Sequence, residues 1–199
     1  MTIEVLRQPL GEGAVSIARA SGTFTFPARF MLVCSTNPCP CGYRGDPLRE
    51  CRCDATTVAR YAAKLSGPLL DRLDLQIDVP RVPLDDLFRR TPAEPSSAVR
   101  ARVEAARARQ QERYAGTGVY ANGQLPSALT AQHCRLDPEG AALVRTAAAA
   151  KRLSARGYDR ILRVARTIAD LAGADTIDAS HVGEAIQYRS LERLSSKAA

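Results

Sequence analysis

The residues of this sequence that could do chemistry are its cysteines and a few of its arginines. The cysteines are Cys34, Cys39, Cys41, Cys51, Cys53 and Cys134, and four of them form two C-x-C pairs nine residues apart. Thiolates two positions apart in a turning chain can face one ion. Two such pairs, joined by a loop containing Gly42, Gly45 and Pro47, can complete a tetrahedral four-sulfur site. The stretch from Tyr43 to Arg49 has too little apolar surface to order itself, and a metal would supply that order. The spacing therefore points to a structural zinc ion on Cys39, Cys41, Cys51 and Cys53. Two disulfides or four free thiols are the competing readings, and a cytoplasmic chain disfavours the disulfides. Arg44, Arg49 and Arg52 stand beside the thiolates and would offset part of their charge. Cys34 lies in an apolar run and reads as core. Cys134, beside His133 but without a partner pair, also reads as structural.

The arginines come from a strong bias. Of 28 basic residues only Lys64, Lys151 and Lys197 are lysine, and the net charge is +7. The stretch from Pro95 to Arg166 holds 13 basic and five acidic residues, which accounts for the whole excess. A basic surface attracts nucleic acid and nucleotide phosphates; the plainer alternative is arginine bias on solvated helix faces. With 45% hydrophobic and 25% charged residues in 199, wholesale disorder is excluded. No run approaches the ~18 apolar residues of a membrane-spanning helix. The first residues lack the pattern of a signal peptide. The expectation is a soluble cytoplasmic protein with no membrane partner.

The elements that must position these residues follow from periodicity. Ile3, Leu6 and Leu10 share a helical face, with Gly11 and Gly13 as stops. Ala14–Ala20 and Thr23–Phe26 alternate around a Ser21-Gly22 turn, which predicts a hairpin with Arg19 next to its tip. Arg29–Ser35 is a short apolar run suited to a central strand of a parallel sheet, ending at Thr36-Asn37-Pro38. Asp54 caps a helix to about Ser66, Gly67-Pro68 breaks it, and Leu73–Val79 alternates as a strand. Pro80, Pro83, Pro92 and Pro95 mark a linker. A helical unit follows, with helices from Ser96 or Ser97 to Tyr114, from Asp137-Pro138 to about Leu153, from Ser154 to Leu171, and from Asp178 to about Leu194. Residues 117–136 read as loop-rich.

Four strings then carry a resemblance: Val15-Ser-Ile-Ala-Arg-Ala, Phe26-Pro-Ala-Arg-Phe, Thr36-Asn-Pro-Cys-Pro-Cys-Gly and Ser66-Gly-Pro-Leu-Leu-Asp-Arg. Together with Leu153-Ser-Ala-Arg-Gly-Tyr-Asp-Arg and Ala185-Ile-Gln-Tyr-Arg, they make the chain resemble the magnesium-chelatase-like AAA+ ATPases of the ComM/YifB group over nearly its whole length. The resemblance implies an α/β fold. Residues 1–82 would be the C-terminal part of an AAA+ core, a partial parallel sheet with a β-hairpin. Residues 83–95 would be a linker, and 96–199 an all-helical lid.

It also implies roles. Asn37 matches the sensor-1 residue that orients the attacking water, and Arg72 the arginine finger that reaches a neighbouring subunit's nucleotide. Arg156 matches sensor 2, near a helix N-terminus that can face phosphate. Arg19 matches the basic residue of a hairpin that protrudes into a ring pore and touches the DNA backbone. Each has a plainer alternative: an Asx turn before proline for Asn37, a salt bridge to Asp71 or Asp74 for Arg72, and solvated side chains for Arg156 and Arg19.

One family feature is missing. A nucleotide-gripping loop ends in Gly-Lys-Ser/Thr, and none of the three lysines follows glycine. The acidic magnesium site is absent as well. The sequence therefore reads as the C-terminal half of an ATP-dependent DNA motor, hexameric and bound to ATP, magnesium and DNA when complete, and inactive as an ATPase alone. A non-catalytic, zinc-stabilised module that binds DNA or a partner is the alternative. A magnesium-inserting chelatase subunit is a third reading.

Overall fold

The structure, a computed structural model, describes residues 3–89, 92–151 and 153–189. Its described part forms two compact units that divide between Leu73 and Asp74.

In the first unit a 3-10 turn, Ile3–Leu6, runs into helix α1, Arg7–Glu12. Gly13 closes it at φ 66°, its N–H donating back to the Pro9 carbonyl at 2.9 Å. Left-handed backbone of this kind favours glycine. The chain then enters strand β1, Ala14–Arg19, which pairs antiparallel with β2, Gly22–Pro27. Only Ala20 and Ser21 join them, so Arg19 pairs with Gly22 beside the tip. Ser16 and Thr25 hydroxyls lie 3.0 Å apart on one face. Val15, Ile17, Phe24 and Phe26 share the other, and Ile17, Phe24 and Phe26 remain exposed.

After a long irregular stretch, helix α2 spans Ala55–Ala62. Asp54 caps it as expected, its carboxylate accepting from the Thr57 N–H at 2.7 Å. A second short helix, α3, Gly67–Leu70, is capped by Ser66 and carries Pro68 in its first turn. Proline has no N–H to lose there, so Gly67-Pro68 both stops one helix and starts the next.

The expected parallel sheet is not formed among the described residues. Residues 28–37 carry no secondary structure, and the only sheet among the described residues is the two-stranded hairpin. The physical reason is pairing: a central strand exists only with neighbours on both edges, and none of the described residues supplies them. Met31 and Val33 are accordingly 88% and 81% exposed, and Cys34 is exposed, not core. The alternation of Leu73–Val79 yields a single parallel bridge, Gln76 with Arg189, for the same reason.

The second unit is helical. Helix α4, Leu84–Arg89, falls within the proline-marked segment. The long helix α5, Ser96–Arg113, is followed by a 3-10 turn at Asn122–Gln124 and helix α6, Ser127–His133. These last two lie in the stretch read as loop-rich. Helices α7, Pro138–Lys151, α8, Ala155–Leu171, and α9, Ala179–Gln187, complete it. The expected end of α9 near Leu194 lies outside the described residues.

Helix α8 is the hub, packing against α5, α6 and α9. Its Ile161, Leu162, Val164, Ala165 and Ala169 are buried with Tyr114, Leu125, Cys134, Val144, Ile177, Val182 and Ala185. Ser154 caps it, its hydroxyl accepting from Gly157 N–H at 3.1 Å, a device worth about 1 kcal/mol. Asp178 and His181 form a reciprocal capping box on α9.

Beneath this core lies a polar network. Asp170 accepts from Arg113, from Arg166 Nε at 3.1 Å and from Asn122 Nδ2 at 2.9 Å. Asn122 Oδ1 accepts from the Tyr114 hydroxyl at 2.7 Å. Arg166 also donates from Nη1 to the carbonyl of Asp175 and from Nη2 to that of Ala174. Buried polar groups are retained at low cost only when satisfied in this way.

Candidate metal centre and arginine sites

The first unit has little apolar core: Cys39, Val58 and Leu69 are its buried hydrophobic side chains among the described residues. What organises residues 38–53 is the cysteine cluster. The Sγ atoms of Cys39 and Cys41 are 3.3 Å apart, those of Cys39 and Cys51 3.7 Å, and those of Cys41 and Cys51 3.6 Å. Cys53 joins them, all four sulfurs lying within 4.8 Å of one another. A tetrahedral ion with metal–sulfur bonds of about 2.3 Å separates its sulfurs by about 3.8 Å, so the four sulfurs lie close enough together to hold such an ion after small adjustments of the side chains.

The loop is built to bring the two pairs together. Gly42 and Gly45 take positive φ, 83° and 82°. The Gly42 N–H returns to the Cys39 carbonyl at 3.0 Å. Asp46 accepts from the N–H groups of Leu48 and Arg49 at 2.8 and 3.1 Å, and Arg49 lies over the Tyr43 ring.

The thiols split. Backbone N–H groups of Tyr43 and then Arg52 bring Cys41 down to about 6. Cys39 is pushed up by burial but falls below its ordinary value through the N–H of Arg44 and the thiol of Cys51. Cys53 has the N–H of Cys41 pulling it down, yet burial and its sulfur neighbours drive it up to about 12. Cys51 moves the same way: the N–H of Cys53 lowers it, and burial with the other thiols outweighs this. Four thiols so close cannot all ionise unless a cation joins them. Cys134 is apart, buried in the second unit and raised to about 11 by that burial, in keeping with a structural role.

Arg72 follows α3. Its Nη1 donates to the Pro68 carbonyl at 2.7 Å, and its guanidinium lies against Gly11, where a Cβ would meet Nε at 3.2 Å. Of the two carboxylates suggested beside it, Asp71 and Asp74, Asp74 pairs with Arg160. Asn37 is exposed at the end of the irregular apolar segment. Arg19 is exposed beside the hairpin tip. Arg156 is exposed in the first turn of α8. Asn37, Arg72 and Arg19 belong to the first unit and Arg156 to the second. For a nucleotide, the described residues supply no glycine-rich cradle: no left-handed glycine among them is followed by lysine.

The sequence did not reveal the Arg113–Asp170–Arg166–Asn122 network. Its members lie up to 57 residues apart and follow no motif.

Comparison with known proteins agrees with the strings of the sequence. Residues 1–87 match the family described as magnesium chelatase, subunit ChlI, and residues 93–189 match the C-terminal family of the same subunit. The chain is 39% identical over 195 residues to the uncharacterized protein YifB of Escherichia coli, covering 97% of this chain and 37% of the relative. It is 40% identical over 197 residues to competence protein ComM of Haemophilus influenzae, covering 98% and 37%. It is 41% identical over 189 residues to an uncharacterized protein of Mycobacterium tuberculosis, covering 94% and 37%. The chain thus spans little more than a third of the length of these relatives. Among the described residues, no helix is long and apolar enough to cross a membrane. On both family matches and on identity running almost end to end, the chain belongs to the magnesium-chelatase-like family, in the group that holds YifB and ComM.

Proposed function

We propose that these residues are the sensor, finger and lid portion of an ATP-driven DNA motor that works in the cytoplasm as a ring, a hexamer in the complete protein. Residues 1–82 carry the contacts to nucleotide and DNA, 83–95 link, and 96–199 form the lid. The observation that carries this reading is the hairpin: a two-residue turn presents Arg19 to solvent in a chain 40% identical to a protein named for competence. A cation at such a tip engages backbone phosphates without reading bases.

Asn37 and Arg72 contribute to hydrolysis, and Arg156 to sensing the phosphate from the lid. Zinc is held by Cys39, Cys41, Cys51 and Cys53. With four thiolates and no open position it is structural: it fixes a loop that lacks an apolar core. The chain alone does not hydrolyse ATP, because the phosphate-binding loop and magnesium carboxylates are not among its residues. The decisive experiment joins it to the remaining length of a ComM or YifB relative and measures ATP turnover with and without DNA. DNA-stimulated turnover in the joined protein, and none in this chain alone, is the expected result. Turnover indifferent to DNA would reject the motor.

A second reading, a zinc-stabilised module that binds DNA or a partner without catalysis, is favoured by the missing cradle. It predicts that the chain alone binds DNA and that nucleotide does not alter DNA binding by the joined protein.

A further inference from the structure

The helical unit holds a cleft of about 290 Å³ lined by Arg113, Gln132, His133, Arg135, Arg166, Asp175 and Thr176. Three arginines on one small concavity repel one another unless anions balance them. The balance is incomplete. Asp170, buried below, is shared between Arg113 and Arg166. Asp175, the one carboxylate in the lining, is engaged by Arg109 at 2.9 Å. Arg135 is exposed and makes no hydrogen bond or ion pair with another described residue. Two positive charges therefore face the cleft without a counter-charge.

The neutral groups suit an anion as well. Arg166 directs two donors onto the carbonyls of Ala174 and Asp175, so those acceptors are occupied and do not oppose one. Arg113 commits two of its five N–H donors to Asp170. The His133 ring stands edge-on to Tyr114 at 5.1 Å. Burial, and then the charges of Arg113 and Arg135, hold its imidazole below the ordinary value, so it is a neutral hydrogen-bonding group at neutral pH. Donors thus converge from the end of α5, from α6 and the residues after it, and from the segment before α9. Convergence from three directions matches a tetrahedral oxyanion better than a planar carboxylate, and the volume takes such a group but not a whole drug-sized ligand.

We propose that this cleft is a phosphate-group site, with Arg135 and Arg113 as its charged contacts and Gln132, His133 and Thr176 as its neutral ones. It is independent of Arg156 and of the function proposed above. The phosphate belongs either to a free phosphate compound or to the backbone of a nucleic acid, and two probes tell these apart.

The test uses the full chain with Arg135→Glu, and Arg145→Glu as control. Arg145 is exposed on α7 outside the cleft, and its reversal changes net charge equally. Pyrophosphate binding is measured by calorimetry, and binding of a fluorescein-labelled single-stranded oligonucleotide by anisotropy at several salt concentrations. Circular dichroism melting checks that both variants are folded. Arg135→Glu is expected to weaken at least one probe about tenfold more than Arg145→Glu, and Arg135→Lys to restore part of the loss. Loss confined to pyrophosphate assigns the site to free phosphate compounds. Loss of oligonucleotide binding with a shallower salt dependence assigns it to nucleic acid. Equal losses in the two reversals, or no binding of either probe by the unmodified chain, overturn the proposal.

Discussion

The guanidinium of Arg113 grips the carboxylate of Asp170 with both arms, Nη1 to Oδ2 at 2.9 Å and Nη2 to Oδ1 at 2.5 Å, across 57 positions of sequence. It ties the end of α5 to the end of α8, and the Asp170 side chain has no exposed surface. Removing one partner of a buried pair leaves the other charge stranded, at about 3–5 kcal/mol. Asp170→Ala should therefore lower the stability of the helical unit by that amount, read as a lower midpoint in urea. Burial is the largest influence on this carboxyl and raises it, but Arg113, Asn122 and Arg166 together hold it below its ordinary value. A lowered carboxyl contributes stability that is complete above the unfolded value of about 3.9 and is lost as pH falls through the folded one. Stability should thus decline with acid below about pH 4, and more steeply than in Asp170→Asn. Equal acid slopes in the two proteins would remove Asp170 from this role.

The thiol cluster predicts bound metal. Native purification should give one zinc ion per chain by elemental analysis, with the four clustered thiols unreactive to a thiol reagent until a chelator is added. Cys39→Ser, at the fully buried sulfur, should lose the ion and expose residues 38–53 to protease while the helical unit keeps its melting temperature. Four reactive thiols and no metal in the unmodified chain would refute the site.

At the hairpin tip, Arg19→Ala in the joined protein should weaken DNA binding on all sequences alike. The slope of log affinity against log salt should fall by about 1, the signature of one lost phosphate contact. An unchanged slope would place Arg19 off the DNA.

Arg72 rests against Gly11 and the Pro68 carbonyl. Acting as a finger, it must serve a neighbour's nucleotide, so Arg72→Ala in the joined protein should cut turnover about a thousandfold or more. Mixing it with intact subunits should depress the activity of the mixture below the proportion of intact protein. Turnover that tracks the intact fraction alone would show that Arg72 acts on no neighbour.

Local chemistry was legible wherever neighbours in sequence are neighbours in space. Ser21-Gly22 between alternating runs gave the hairpin and placed Arg19 beside its tip, one residue away from the actual two-residue connection, Ala20-Ser21, because so short a connection leaves the strands no other pairing. Ser154 and Asp178 gave the starts of α8 and α9, because a cap bonds within three residues of itself. The two C-x-C pairs gave the thiol cluster, because a glycine-bearing loop can fold them together. The apolar run at 29–35 misled for the converse reason. Its composition shows that it suits burial, but a strand needs an adjacent edge, and apolarity cannot say which segment provides it.

By itself the sequence determined the hairpin, the helix caps, the four-sulfur cluster and the family, all of them short-range pattern or direct identity. Only the tertiary structure decided that Asp170 is shared by two arginines, that Arg72 lies on Gly11, and that Arg113, His133 and Arg135 line one cleft. Those pairings join residues whose separation in sequence has no period. Their partners are selected by packing around α8 and by the need to satisfy charge once water is excluded.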